Sequence, residues 1–195
     1  MLRIEKKRKT KETDVSLSID FDGSGRSTVA TGLPFFDHLL DSFAKHGRFD
    51  LELKVAGDLD VDDHHLVEDV AITLGAAIAE AQARRPSVRR FGSSIIPMDD
   101  ALVLAAIDLG GRSYVEAPVR FKKRLVGTFT LANIRHFLRS LADNAKLNLH
   151  IMVLSGSDDH HIAEAIFKAL GVSLRQAMEE DPRLSGTVPS TKGRI

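Results

Sequence analysis

The strongest constraint on what this chain can fold into is an internal repeat. Asp62-Asp63-His64-His65-Leu66-Val67-Glu68 returns as Asp158-Asp159-His160-His161-Ile162-Ala163-Glu164. Upstream, His38-x-Leu40-x-Ser42-Phe43-Ala44 returns as His136-x-Leu138-x-Ser140-Leu141-Ala142. A strand period and a turn lie between the two motifs in both copies. The separations His38 to His64 and His136 to His160 differ by two residues, both within the turn before the His pair. Duplication of one unit is the economical reading, and two copies are too few for a solenoid.

The unit is read from hydrophobic period. Val15, Leu17, Ile19 and Phe21 alternate with polar residues as a half-buried strand, Asp22-Gly23-Ser24-Gly25 turns the chain as a hairpin, and 26–31 returns as a second strand. A helix follows Pro34, with Phe36, Leu39, Leu40 and Phe43 on one stripe and Gly47 as its stop. Phe49, Leu51, Leu53 and Val55 make another strand. Asp62 or Asp63 then caps a helix whose buried stripe runs from Leu66 to Ala81 and ends before Pro86.

The second half repeats the plan, with strands over 101–108 and 112–119, a helix over 131–144, a strand over 147–153 and a last helix. The expected fold is α+β: a duplicated strand-strand-helix-strand-helix unit with helices on one face of the sheet in each half and a pseudo-two-fold axis between halves. The halves cover about 1–90 and 91–184 of a single domain, with a tail over 185–195.

At 195 residues and 43% hydrophobic, the chain can bury a sizeable core. Lys plus Arg and Asp plus Glu number 27 each, so no overall field favours nucleic acid or an anionic membrane. The basic run from Arg3 to Lys11 reads as a solvated strand and its turn. There is no cysteine, so any metal must be held by nitrogen and oxygen. No apolar stretch reaches the roughly 20 residues of a membrane span and no apolar segment follows the basic start, so a soluble, cytoplasmic protein is expected.

Successive helical residues are about 100° apart, so His64 and His65 point in different directions while Glu68 projects between them, and His160, His161 and Glu164 do likewise. With His38 and His136 these make eight ligands. That is too many for one ion and suits two octahedral sites of Mn(II) or Fe(II) with positions open to substrate or water. Ligands that diverge on one helix favour an ion shared between subunits. His150, alternating with apolar neighbours, reads as structural. His46 at a helix end serves either the helix dipole or a site.

The residues also resemble a known family. Thr10-Lys11-Glu12-Thr13, Phe36-Asp37-His38-Leu39-Leu40-Asp41, His46-Gly47-x-Phe49-Asp50-Leu51, Asp63-His64-His65-x-x-Glu68-Asp69, Arg90-Phe91-Gly92, Pro97-Met98-Asp99, Gly111-Arg112, His160-His161-x-x-Glu164-x-x-Phe167-Lys168 and Pro189-Ser190-Thr191-Lys192-Gly193 are similar to imidazoleglycerol-phosphate dehydratases across almost the whole chain. The resemblance implies a hydro-lyase of histidine biosynthesis that converts imidazoleglycerol phosphate to imidazole acetol phosphate. It further implies two Mn(II) per active site and a 24-subunit homo-oligomer with intersubunit sites.

Carried over by position, the metal ligands are His38, His64, His65, Glu68, His136, His160, His161 and Glu164, and the phosphate-binding groups are Arg90, Arg112, Ser190 and Lys192. Glu12 is the implied acid/base, with Glu164, His46 and Asp99 completing the candidate catalytic set. Ser42 stands where the family commonly has Gln, Asp100 where it has Glu and Gly110 where it has Ser. Two rival readings are a dinuclear metal-dependent phosphate-ester hydrolase and a non-catalytic, metal-stapled assembly protein.

Overall fold

The structure, a computed structural model, describes residues 1–184, 187, 189 and 190. Lys192 therefore lies outside the described residues. The first half runs β1 (Arg3–Lys9), β2 (Thr13–Asp20), β3 (Ser27–Ala30), α1 (Pro34–Gly47), β4 (Asp50–Gly57) and α2 (His64–Arg84). The second runs β5 (Phe91–Met98), β6 (Ala101–Asp108), β7 (Tyr114–Glu116), the short hairpin β8 (Leu125–Val126) and β9 (Phe129–Thr130), α3 (Asn133–Ala145), β10 (Asn148–Ser155) and α4 (Asp159–Met178).

The two four-stranded sheets have the same topology, β1-β2-β4-β3 and β5-β6-β10-β7. Each has two antiparallel pairings and one parallel pairing, β3 with β4 and β7 with β10. Each unit therefore opens with one strand more than the five-element reading counts. β5 escapes the period-2 pattern because apolar Phe91, Ile95 and Pro97 occupy its exposed face.

The segment over 26–31 forms a strand, but it is not the return arm of a hairpin. Asp50 explains this: one of its carboxylate oxygens accepts the backbone N–H of Ser24, Gly25 and Arg26 at 2.8, 3.1 and 3.0 Å. The turn is thereby held to the start of β4, and β3 emerges beyond β4, parallel to it. In the second half only Tyr114–Glu116 of the expected 112–119 strand pairs with the sheet.

The helices fill the space between the sheets and pack across the repeat. α2 lies on β1 and β2 and against α3, while α4 lies on β5 and β6 and against α1. Both helix crossings are made close by a glycine. A Cβ on Gly75 of α2 would lie 2.6 Å from the Leu141 carbonyl oxygen of α3, and a Cβ on Gly171 of α4 would collide with the Phe43 carbonyl of α1. The core is continuous: Phe36 stacks on Phe129 at 5.4 Å and meets Phe137 edge-on at 5.7 Å, and Phe137 is 5.0 Å from Phe167. Aromatic pairs of this kind add about 0.5–1.5 kcal/mol each beyond the area they bury.

Candidate metal centre and substrate site

The close crossings bring together histidines that are far apart in sequence. On one side, His38 of α1 faces His160 and Glu164 of α4. The Glu164 carboxylate is 3.0 Å from His38 Nε2 and 3.4 Å from His160 Nε2, and one ligand atom from each of the three residues falls within 4.8 Å of the others. On the other side, His64 of α2 and His136 of α3 place their rings 4.8 Å apart, and Ser140 of α3 donates to Glu68 of α2 at 3.4 Å. One helix from each half thus contributes to each cluster.

Burial alone would raise the Glu164 pKa. Hydrogen bonds from Lys168, at 2.9 Å one turn further along α4, and from His38 outweigh it and bring the value down to about 2. An anionic, nitrogen-flanked acceptor is what a divalent cation needs. Above the cluster, His46 loses solvation and feels the Lys168 charge, and both effects lower its pKa.

The second histidine of each pair turns away from the first. Rings of His64 and His65 lie 5.9 Å apart at 79°, and those of His160 and His161 lie 6.0 Å apart at 83°. Each outer ring is held at Nδ1 by a carboxylate, His65 by Asp58 at 3.0 Å and His161 by Asp100 at 2.7 Å. These bonds are the first cause of the raised pKa of both histidines. A carboxylate on Nδ1 fixes the tautomer and leaves Nε2 as the outward donor.

Around each Nε2 stands a carboxylate from a hairpin tip. Glu12, between β1 and β2, is 3.9 Å from His65 Nε2, and Asp99, between β5 and β6, is 3.5 Å from His161 Nε2. Glu12 and Asp99 therefore occupy corresponding places in the two halves.

The basic candidates lie elsewhere. Arg90 holds Asp108 through two nitrogens, at 2.6 and 3.1 Å, and donates a third bond to the Pro189 carbonyl at 2.8 Å, which places Pro189, the neighbour of Ser190, beside it. Arg112 is exposed beside Ser113, which lines a cleft of about 620 Å³ together with Arg135, His136 and Arg139. This cleft reaches one candidate ligand, His136. A larger hollow, on the outer face of the first sheet between Arg3 and Lys54, contains none of the candidates.

Comparison with known proteins decides what the arrangement belongs to. The sequence model of imidazoleglycerol-phosphate dehydratase matches residues 31–174. The chain is 50% identical over 193 residues to the imidazoleglycerol-phosphate dehydratase of Acetivibrio thermocellus, covering 99% of this chain and 98% of that one. It is 46% identical to that of Bacillus licheniformis, covering all of both. The chain belongs to the imidazoleglycerol-phosphate dehydratase family.

Solved structures agree with that placement. The imidazoleglycerol-phosphate dehydratase of Staphylococcus aureus superposes with a TM-score of 0.83 at 32% identity, covering 92% of this chain and 99% of that one. The Pyrococcus furiosus enzyme gives 0.83 at 38% identity, covering 97% and 100%. For a member of this family, Asp58, Asp100 and Lys168 are the site residues that the sequence reading did not assign. Lys168 had a signal in its i,i+4 spacing from Glu164. The two aspartates sit in turns and had none.

Proposed function

We propose that this chain removes water from imidazoleglycerol phosphate to give imidazole acetol phosphate, in the cytoplasm, as a step of histidine biosynthesis. The carrying observation is the His38, His160 and Glu164 cluster, a nitrogen and oxygen donor set in a member of the dehydratase family that covers 98% of a relative's length. The donors fit a divalent transition metal, since the chain has no thiol, Glu164 is held ionised and both outer histidines have their Nδ1 occupied. We assign two Mn(II) per active site to His38, His64, His65, Glu68, His136, His160, His161 and Glu164. Bound there, the metal supplies Lewis-acid stabilisation of the negative charge that develops during the reaction.

The chain's own groups do the rest. Arg90, Arg112, Ser190 and Lys192 hold the phosphate, for which forked guanidinium and point-charge ammonium donors are suited. The carbon-bound hydrogen to be removed has no adjacent carbonyl and is separated from the imidazole by the saturated, hydroxyl-bearing carbon, so its loss is tied to departure of that hydroxyl, which electron release from the ring assists. Glu12 takes that proton at its carboxylate, and the hydroxyl on the carbon attached to the ring departs as water after protonation, with Glu164, His46 and Asp99 near the path. The enol so formed becomes the ketone. Atoms balance as one C–H and one C–OH lost for one water released.

The site is shared between copies of the chain in a 24-subunit assembly. The outer faces of the two sheets support association: in the first sheet that face carries Arg3, Glu5, Lys7, Glu52 and Lys54, whereas in the second it exposes Ile95 (57%), Met152 (40%) and Leu154 (52%). An apolar sheet face of that kind marks a contact surface.

The test incubates purified protein and Mn(II) with imidazoleglycerol phosphate and follows ketone formation against free phosphate. Ketone without phosphate release is expected. Phosphate release alone would establish a hydrolase, and neither product would establish an assembly role.

A further inference from the structure

Glu12 stands at the tip of a hairpin, where a sheet gives least support, yet proton transfer needs its carboxylate held to a fraction of an ångström. The neighbouring hydrogen bonds form a closed ring. Asp69 of α2 is buried, with 6% of its surface exposed. One of its oxygens accepts Arg8 Nε at 2.7 Å, and the other accepts the Thr13 hydroxyl and, at 3.5 Å, the Thr10 hydroxyl. Thr10 Oγ1 in turn accepts the backbone N–H of Glu12 at 3.1 Å and of Thr13 at 2.9 Å. The Glu12 carbonyl accepts the Asp58 N–H at 3.1 Å, and the Asp58 carboxylate holds His65 Nδ1 at 3.0 Å. His65 and Asp69 are four residues apart on the same helix, which closes the ring on α2.

We propose that Asp69 is a positioning residue for Glu12, an inference that rests on the acid/base role given to Glu12 above. The repeat supplies the contrast. At the position of Asp69 the second half has Ala165, fully buried. There the hairpin tip is anchored by its own Asp100, which accepts the N–H and hydroxyl of Ser157 and the N–H of Asp158 while it also holds His161. In that half one tip carboxylate, Asp100, is committed to holding the turn, while its neighbour Asp99 faces His161 Nε2 as Glu12 faces His65. In the first half Asp69 anchors the turn from beneath, and the tip carboxylate of Glu12 is left directed at His65 Nε2. Packing alone does not call for a carboxylate here, because a buried charge is costly unless fully hydrogen-bonded and Ala165 fills the equivalent space.

The test uses the assembled, Mn(II)-loaded protein. Asp69→Asn, Asp69→Ala and Thr13→Val are each made with Glu12 intact and with Glu12→Gln. With Glu12 intact, Asp69→Ala and Thr13→Val lower kcat by about 10- to 100-fold, as misplaced catalytic groups do, with KM and metal content unchanged. Amide hydrogen exchange at residues 10–13 becomes faster. In the Glu12→Gln background the same changes cause no further fall. Full kcat in Thr13→Val, an equal fall in both backgrounds, or a loss of bound metal with each variant would overturn the inference. Full turnover by Glu12→Gln would remove the role of Glu12 itself, whereas an impaired Glu12→Gln beside a fully active Asp69→Ala would overturn only the positioning role.

Discussion

Replacing Gly75 by Ala sets two effects of opposite sign against each other. In a helix interior Ala is favoured over Gly by about 1 kcal/mol, so local propensity predicts that Gly75→Ala stabilises α2. The crossing with α3 opposes this. The new Cβ would lie 2.6 Å from the Leu141 carbonyl oxygen, 2.8 Å from Asn144 Cβ and 3.1 Å from the Ala145 nitrogen. Two of these are backbone atoms and cannot rotate aside. Restoring contact at 3.4 Å needs 3.4 − 2.6 = 0.8 Å of separation between the helices.

Overpacking of this kind costs about 1–3 kcal/mol, which outweighs the propensity gain and leaves a net loss of about 1 kcal/mol. For a chain of this size that is about 2–4 °C in Tm. The larger consequence is at the site, because His136 is five residues before Leu141 on α3 and its ring must stay 4.8 Å from that of His64. Thermal unfolding with and without saturating Mn(II) reads both effects: Tm falls without metal, and the rise in Tm on adding metal shrinks as affinity falls. Gly171→Ala should do the same at the other crossing. A higher Tm with an unchanged metal-induced rise would refute the reasoning, since propensity alone would then account for the result.

Asp100→Asn and Asp58→Asn remove the charge that orients an outer histidine, and losses of this kind lower metal affinity by about 10- to 100-fold. Chelator competition should show the greater loss for Asp100, which is closer to its histidine and also secures the turn at Ser157; unchanged affinity in both variants would show that these Nε2 atoms do not face the metal. The pH dependence of stability should reverse on metal loading. His65 and His161 have pKa values raised above the ordinary 6.5, so in the metal-free protein their contribution is fully present below 6.5 and is lost as pH rises through the raised values. Metal requires the neutral rings, so its contribution falls as pH drops through that same range. Chemical denaturation of the two forms between pH 5.5 and 8.5, which brackets the about 6.5 of an unperturbed histidine, checks the opposite slopes.

What the sequence made legible was local. The divergence of His64 from His65 follows from helical geometry, and the observed ring angle of 79° reflects it. The duplicated order of elements could be read from apolar period because β2, β4, β6 and β10 each bury alternate residues. What was hidden depends on distant parts of the chain. β3 was misplaced because its position is decided by Asp50, which captures a turn 24 to 26 residues earlier. Asp58 and Asp100 come from turns that are unrelated in the repeat, so neither spacing nor symmetry marks them as partners of His65 and His161. Nothing in the apolar period marks Asp69 as buried, and it is the packing of β1 over α2 that encloses it.

The placement of the basic groups carries the argument for shared sites furthest. Arg90 immediately precedes β5 and Asp99 immediately follows it, so the eight residues Phe91–Met98 separate them. At about 3.3 Å per residue, the strand holds the Arg90 end about 25 Å from the end where Asp99 meets His161. Because β5 and β6 pair in register along their whole length, bending cannot bring these ends together without breaking the sheet. Arg112 does not shorten the distance, since Asp108, Asn148 and Tyr114 align beside the Arg90 end. A three-carbon phosphate ester cannot span such a gap. A site that combines Arg90 or Arg112 with His161 must therefore take them from different copies of the chain, and if the proposed phosphate site is of that kind, separating the copies should abolish turnover even while each chain remains folded.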